Sequence, residues 1–135
     1  MIYFDTDVLI NYLIEQDPKK HQLAIDRYYD AARKGVFFCS LLCLQEVSFV
    51  LSRLKVDSLD IETMVQGLFA PSTMYYNVTH FTRAIELARN VGFNNINDCL
   101  HTAIAEAYWT EIYTFNKADF KQIQRYTDLK ITIFD

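Results

Sequence analysis

Short hydrophobic runs alternate along the chain with longer segments in which apolar residues recur at helical spacing. Five of these runs have the length of a strand, at residues 2–4, 36–39, 74–78, 111–115 and 131–134. Strands inside a parallel sheet are covered on both faces, so a continuous apolar run is typical of them. The pattern predicts a central, mainly parallel sheet of four or five strands.

Segments with a helical pattern fill the intervals between the strands. Their predicted ranges are residues 7–14, 17–34, 40–55, 59–69, 79–90, 98–109 and 117–126. Asp7 and Ser40 stand where helix caps are expected, and Gly35 stands where a helix should end. The Pro71-Ser72 pair interrupts the chain after the fourth helix. Strands that alternate with helices predict βαβ units, and hence an α/β fold built as a three-layer α/β/α sandwich.

The amino-acid composition excludes several classes of protein. A chain of 135 residues, of which 51% are hydrophobic, can bury roughly two thirds of its unfolded surface. We therefore expect one domain spanning residues 1–135 rather than a disordered chain. No apolar run approaches the ~20 residues of a membrane span, and no signal-like leader is seen. We expect a cytoplasmic protein with no membrane partner. The three cysteines lack a CxxC pair and the three histidines are scattered, so neither a zinc site nor a disulfide framework is indicated.

The net charge of −4 narrows the expected partners. A protein that holds nucleic acid through phosphate contacts alone is usually basic. If this chain handles nucleic acid, its affinity must come from a local basic patch and from bound cations. Lys117, Arg53 and Arg83 are candidates for phosphate contacts, although each is also explained as a solvated surface charge.

Four acidic residues stand where predicted strands and helices meet, and they are Asp5, Glu46, Asp98 and Asp119. Asp5 ends the first strand, Glu46 interrupts the hydrophobic helix after the second strand, and the other two open later helices. The carboxyl ends of parallel strands lie at one edge of a sheet, so we expect these side chains to converge. Each acid alone is also explained as a helix cap or an exposed side chain, whereas their ordered recurrence indicates a site.

Convergent carboxylates predict a bound metal ion. Unpaired carboxylates repel one another and are costly to bury, and a divalent cation removes that cost. Oxygen ligands suit Mg²⁺ or Mn²⁺. Two such ions about 4 Å apart can activate a water and stabilise the leaving oxygen of a phosphodiester. That chemistry needs no histidine, serine or cysteine nucleophile.

Four segments resemble motifs of the PIN domain family, and within it the VapC-type toxin ribonucleases. These segments are residues 2–10, Ser40 with Glu46, residues 98–105 and residues 114–120. In the first segment Asp7 stands where the family more often has Asn. In the fourth, some relatives carry an acid at the position of Asn116, whereas others pair Asn there with a later Asp, as Asn116 and Asp119 do here.

The resemblance implies an endoribonuclease that uses Mg²⁺ or Mn²⁺ to cleave single-stranded RNA. Such toxins are commonly homodimers and are inhibited by a cognate antitoxin protein. Asp5 and Asp98 would then bind metal directly, while Glu46 and Asp119 would complete the acidic pocket, directly or through water. The neighbouring polar residues that could orient carboxylates or waters are Thr6, Thr114 and Asn116.

Two other functions fit parts of the same pattern. Residues 4–9 also resemble the first motif of haloacid-dehalogenase-type phosphatases, in which Asp5 would be the nucleophile and Asp7 the general acid. That interpretation leaves Glu46 without a role and matches that family's later motifs poorly. The second alternative is a non-catalytic PIN-type module that binds RNA or protein, which the acids retained in all four segments disfavour.

Overall fold

Four parallel strands form the central sheet of the computed structural model, which describes residues 1–69, 73–108 and 111–135. The strands are β1 (Ile2–Phe4), β2 (Phe37–Phe38), β3 (Glu111–Thr114) and β4 (Ile131–Ile133). Their order across the sheet is β2-β1-β3-β4, and each neighbouring pair is parallel. The prediction of a mainly parallel sheet of four or five strands is confirmed.

Helices cover this sheet on both faces, so the predicted three-layer α/β/α fold is also confirmed. In the described parts of the chain the α-helices are α1 (Thr6–Leu13), α2 (Pro18–Arg33), α3 (Leu41–Arg53), α4 (Ser58–Gly67), α5 (Val78–Val91), α6 (Ile96–Ala107) and α7 (Lys117–Ile123). Two short 3-10 turns, Phe93–Asn95 and Gln124–Tyr126, follow α5 and α7. Three of the acids discussed below follow the ends of the two central strands: Asp5 and Asp7 follow β1, and Asp119 follows β3.

The predicted strand at residues 74–78 is wrong. Met74 alone forms an isolated parallel bridge, opposite Ser40 at the end of β2. The two tyrosines that follow Met74 are exposed, so the run is apolar in composition without being buried. Asn77 then caps α5 by accepting hydrogen bonds from the first backbone N–H groups of the helix, and the chain becomes helical before a strand can extend.

Helix caps fix where the helices next to the strand ends begin. Asp5 caps α1 by accepting a hydrogen bond from the Thr6 N–H at 2.8 Å, so the prediction of Asp7 as the cap is wrong by two residues. Asp5 has the extended backbone (φ −66°, ψ 158°) that is typical of a capping residue, and the helix begins at the next residue, directly after β1. Ser40 caps α3 as predicted, accepting from the Cys43 N–H at 3.2 Å.

Other boundaries lie close to the predicted ones. α6 begins at Ile96, so Asp98 lies inside its first turn rather than opening it. Asn116, and not Asp119, precedes α7 as its cap. Gly35 follows α2 with a positive φ of 68°, a conformation that glycine adopts without strain. The predicted interruption at Pro71-Ser72 and the predicted helix end at residue 109 lie outside the described residues.

The core is built around the two central strands. Tyr3 and Phe4 of β1 and Ile112 of β3 are fully buried, and the Phe4 ring lies 5.0 Å from that of Phe37 on β2. Burying one large apolar side chain stabilises a fold by roughly 1.5–3 kcal/mol. These contacts therefore fix β1, and with it the position of Asp5 at its end. Among the described residues, no helix is both long and apolar enough to cross a membrane.

Candidate active site

A cleft of about 630 Å³ opens where the chain leaves β1 and β3. The residues that line it are Asp5, Thr6, Asp7, Ile10, Asn11, Gln16, Gln45, Glu46, Phe49, Val50, Asn97, Asp98 and Asn116. Four of these are acids, and none of them is lysine or arginine. Three of the acids singled out in the sequence therefore line one cleft, and the fourth, Asp119, lies beside it in contact with Asn116.

Asp5 is the most deeply buried of these acids, with 4% of its surface exposed. One carboxylate oxygen caps α1, and the other accepts a hydrogen bond from the Thr114 hydroxyl of β3 at 2.8 Å. Burial raises the pKa of the Asp5 carboxyl, although the nearby His101 and these hydrogen bonds act in the opposite direction. Two strands thus hold one carboxylate at the floor of the cleft.

Asp7 lies in the first turn of α1, directly after β1, and contacts the end of β3. Its two oxygens lie 3.1 and 3.2 Å from the backbone nitrogen of Phe115, whose N–H donates to them. Burial and the neighbouring Asp5 charge raise the pKa of Asp7 to about 7. Asp7 therefore ties α1 to the end of β3, which the sequence interpretation of Asp7 as a cap did not include.

Glu46 points from α3 toward α1 and α6. One of its oxygens, Oε1, accepts hydrogen bonds from the Thr6 hydroxyl and from Nε2 of His101, both at 2.6 Å. Burial raises the pKa of Glu46, but the hydrogen bond and the charge of His101 outweigh it and hold that pKa below its ordinary value. The Glu46 side chain is thus an ionised carboxylate held from two sides.

Asp98 and Asp119 are linked through one amide. Nδ2 of Asn116 donates to Asp98 at 3.3 Å and to Asp119 at 2.9 Å. Burial and the charge of Asp5 raise the pKa of Asp98 to about 7. Asn116 therefore bridges two acids whose side chains are also hydrogen-bonded to each other, a role that is distinct from that of a fourth acid.

His101 is the residue of this region that sequence reasoning missed. It is 1% exposed, and its Nε2 lies 3.7 Å from the nearer oxygen of Asp5 as well as in contact with Glu46. Burial alone would lower the pKa of His101, but the Cys43 sulfur and the nearby carboxylates raise it well above its ordinary value. The available signal was spacing, because His101 follows Asp98 by three residues and shares its helix face.

The basic residues singled out in the sequence lie outside the lining of the cleft. Lys117 is exposed, with Nζ 3.6 Å from Asp135. Arg83 donates to Glu106 in a two-pronged ion pair at 2.9 and 3.0 Å. Arg53 is exposed, and its guanidinium lies 5.8 Å from the ring centre of Phe49. The Phe49 ring does line the cleft and is 62% exposed.

The chemistry of the cleft fits a hard divalent cation. Its charged groups are carboxylates, and burial, with a smaller contribution from their mutual repulsion, raises the pKa values of Asp5, Asp7 and Asp98. A cation would offset this charge through the oxygen ligands that Mg²⁺ and Mn²⁺ prefer. Among the described residues, however, no three acidic, histidine or cysteine side chains are already gathered as a group that could hold an ion. The donors are suitable, but they are not preassembled.

Comparisons with known proteins identify the family. The PIN domain family model matches residues 2–126. No curated protein matches the sequence. Similar solved structures include FitAB bound to an IR36 DNA fragment, with a TM-score of 0.73 and 15% identity over 98% of this chain and 94% of that chain.

Two further structures are similar over nearly their whole length. FitAcB from Neisseria gonorrhoeae has a TM-score of 0.69 and 14% identity, covering 97% of this chain and 96% of that one. VapBC2 from Rickettsia felis, bound to a DNA fragment from its promoter, has a TM-score of 0.68 and 18% identity, covering all of both chains. Identities this low support a shared fold, and the family model supports membership. The predicted family is confirmed, and the chain belongs to the PIN domain family.

Proposed function

We propose that residues 1–135 form a single nuclease domain that uses Mg²⁺ or Mn²⁺ to cleave phosphodiester bonds in single-stranded RNA. The observation that carries this proposal is the cleft that Asp5, Glu46 and Asp98 line together, with no lysine or arginine among its described lining residues. Family membership supports the nuclease class. Oxygen donors alone serve this chemistry, so no nucleophilic side chain is needed.

Asp5 and Asp98 are the proposed metal ligands, and Glu46 and Asp119 complete the acidic pocket. A bound divalent cation would activate a water and offset negative charge on the leaving oxygen. The chain's own polar residues hold the carboxylates in place for it. Thr114 donates to Asp5 at 2.8 Å, which keeps that carboxylate directed at the end of β3.

The remaining supporting roles belong to Thr6 and Asn116. The Thr6 hydroxyl donates to Glu46 at 2.6 Å and so connects α1 with α3. Asn116 donates to both Asp98 and Asp119, which lets two acids remain close to one another before any cation binds. We assign the fourth acidic position to Asp119, with Asn116 as the residue that orients it.

Single-stranded RNA is the proposed substrate because the cleft offers an aromatic face beside its acids. Phe49 is 62% exposed on the wall of the cleft, where an unpaired base can stack on it. Arg53, next to that ring, is the proposed phosphate contact. Lys117 is a weaker candidate, because it lies outside the lining and near Asp135.

We further propose that the nuclease is the toxin of a toxin–antitoxin pair in the cytoplasm. The motifs resemble VapC-type toxins, and one of the similar structures is a VapBC2 complex. The partners implied are a cognate antitoxin protein and a second copy of the chain in a homodimer. A small DNA-binding protein encoded beside this chain, able to co-purify with it and to suppress its cleavage of RNA, is the expected antitoxin.

Neither alternative function gains support from the geometry. The phosphatase interpretation leaves Glu46 without a role, yet Glu46 lines the cleft and accepts hydrogen bonds there from Thr6 and His101. Asp7, the general acid of that scheme, is held by the backbone of Phe115. A non-catalytic module would have no need for the buried and mutually repelling acids of the cleft, which cost stability.

The proposal is tested by incubating the purified protein with labelled single-stranded RNA in Mn²⁺, with and without EDTA. We expect cleavage that EDTA abolishes and that is lost in Asp5→Asn and in Asp98→Asn. Asp60→Asn is the matched control, since Asp60 is an exposed acid of α4 outside the cleft. RNA binding without cleavage by the unchanged protein would instead identify a binding module.

A further inference from the structure

We propose that His101 is a positioning residue for Glu46, an inference that rests on the proposed nuclease function. His101 acts in this scheme through one hydrogen bond, and it touches neither RNA nor metal. Tyr3, buried in β1, holds the imidazole ring in the orientation that this bond requires. The Tyr3–His101–Glu46 chain thus connects the hydrophobic core to the acidic cleft.

The contact between His101 and Glu46 is short and directed. An ionised carboxylate can only accept hydrogen bonds, so Nε2 of His101 carries the hydrogen and donates to Oε1 of Glu46 at 2.6 Å. The Thr6 hydroxyl donates to the same oxygen, also at 2.6 Å. Both bonds use Oε1, and the second oxygen of Glu46 takes part in neither of them. The Asn97 side chain adds a further hydrogen bond to the carboxylate, so His101 is one of three polar partners that orient Glu46.

The other side of the imidazole is held by groups with no access to solvent. The Tyr3 hydroxyl lies 2.6 Å from Nδ1 of His101 and 2.6 Å from the Ser40 hydroxyl. The Cys43 sulfur lies 3.3 Å from the Tyr3 hydroxyl. All four of these residues are at most 1% exposed. The ring cannot rotate without breaking several buried polar contacts, each of which is costly to leave unsatisfied.

Helical spacing explains how the sequence builds this chain of contacts. Cys43 and Glu46 are three residues apart on α3, and Asp98 and His101 are three residues apart on α6. Residues at this spacing share one face of a helix. In α3, Cys43 contacts the buried Tyr3 and Glu46 lines the cleft. In α6, Asp98 lines the cleft and His101 contacts the buried Tyr3. A solvated or purely core histidine would not need a partner at the cleft.

A double-mutant cycle between His101 and Glu46 tests the inference. Substituting residues that orient metal-site carboxylates typically costs about 10- to 100-fold in activity or metal affinity. We expect His101→Leu to lower kcat by about that factor, with the KM for RNA unchanged. In the Glu46→Gln background the same His101→Leu substitution should change kcat very little, because its effect passes through Glu46.

Conservative replacement separates positioning from simple packing. His101→Gln keeps an N–H donor within reach of Glu46 and is expected to recover most of the kcat lost in His101→Leu. Tyr3→Phe removes only the hydroxyl that anchors the ring, and it should lower kcat in the same non-additive way. Tyr3→Phe also tests the inference if the His101→Leu protein does not fold. Additive losses in both cycles, or equal losses in Gln and Leu, would overturn the inference.

Mn²⁺ binding, followed by electron paramagnetic resonance without RNA, gives a readout that does not depend on turnover. His101→Leu and Glu46→Gln should each weaken Mn²⁺ binding, and the double variant should bind no more weakly than Glu46→Gln alone. If the unchanged protein binds Mn²⁺ but cleaves no RNA, the proposed function fails while this cycle still tests His101. If cleavage occurs and the cycle is additive, only the role of His101 fails.

Discussion

At the scale of single residues, each acid of the cleft is held by a different kind of partner. Asp5 caps a helix, Asp7 accepts from a strand-end amide, and Glu46 accepts from a histidine. Hydrogen bonds to charged groups contribute about 1.5–3 kcal/mol each, more than exposed ion pairs do. Polar partners from three elements therefore hold the acids in place. Burial of their charges lowers the stability of the fold in return.

Asp7→Asn should preserve RNA cleavage, whereas Asp7→Ala should reduce it. An asparagine keeps an oxygen that can accept from the Phe115 N–H, so the link between α1 and the end of β3 survives. It also removes a buried charge whose pKa is raised to about 7, so the folded protein should be no less stable at pH 8. The measurements are kcat on labelled RNA and the melting temperature.

Alanine at this position leaves the Phe115 N–H without its acceptor, at a cost of about 1–3 kcal/mol. The opposite ranking, with Asn as damaging to turnover as Ala, would show that the Asp7 carboxylate takes part in the chemistry. That result would revive the phosphatase interpretation, in which this residue is the general acid.

At the scale of elements, α3 and its cap supply residues to three different parts of the site. Ser40 and Cys43 contact the buried tyrosine, Glu46 reaches the cleft, and Phe49 and Arg53 follow at its outer end. Each step of three residues turns by about 60° around the helix axis, so the side chains pass from the buried Cys43 to the exposed Phe49. A helix rises 1.5 Å per residue, which places Phe49 about 4.5 Å further along the axis than Glu46, close enough for an adjacent base.

Phe49→Ala should raise the KM for single-stranded RNA by about fivefold or more, because stacking a base on an aromatic ring contributes ~1–3 kcal/mol. Its ring is 62% exposed, so the free energy of unfolding should hardly change. Phe49→Trp should retain the low KM. The matched control is Leu59→Ala on α4, where the side chain is 68% exposed and lies outside the cleft lining.

An unchanged KM in Phe49→Ala would exclude this ring as a base platform. Loss of binding to a protein partner alone, with RNA cleavage intact, would instead assign the exposed ring to a protein interface.

At the scale of the whole molecule, the sequence predicted the fold and the meeting of the acids for one physical reason. Parallel strands end at one edge, so Asp5 and Thr114 had to meet once the runs before them were recognised as neighbouring strands. His101 was missed because its partners, Tyr3 and Glu46, are distant in sequence and only tertiary packing joins them. The strand at residues 74–78 was mispredicted because composition does not report burial.

Removal of metal should lower the stability of the whole domain. Ligand that binds only the native state adds about 2.7 kcal/mol at a hundredfold excess over its Kd. For 135 residues this corresponds to a rise in melting temperature of roughly 10 °C. We expect Mn²⁺ to produce this rise and EDTA to reverse it. Asp5→Asn and Asp98→Asn should abolish the shift, whereas Asp60→Asn should retain it.

The metal-free protein gives the complementary half of this prediction. Burial and the charge of Asp5 raise the pKa of Asp98 to about 7, so its ionised form costs folding free energy at pH 8. Asp98→Asn should therefore melt at the same or a higher temperature than the unchanged protein in EDTA, while melting lower than it in Mn²⁺. A crossing of this kind distinguishes an acid retained for binding a cation from one retained for the fold. If Asp98→Asn is the less stable protein in both conditions, Asp98 is a structural residue and the proposed metal site loses one of its two ligands.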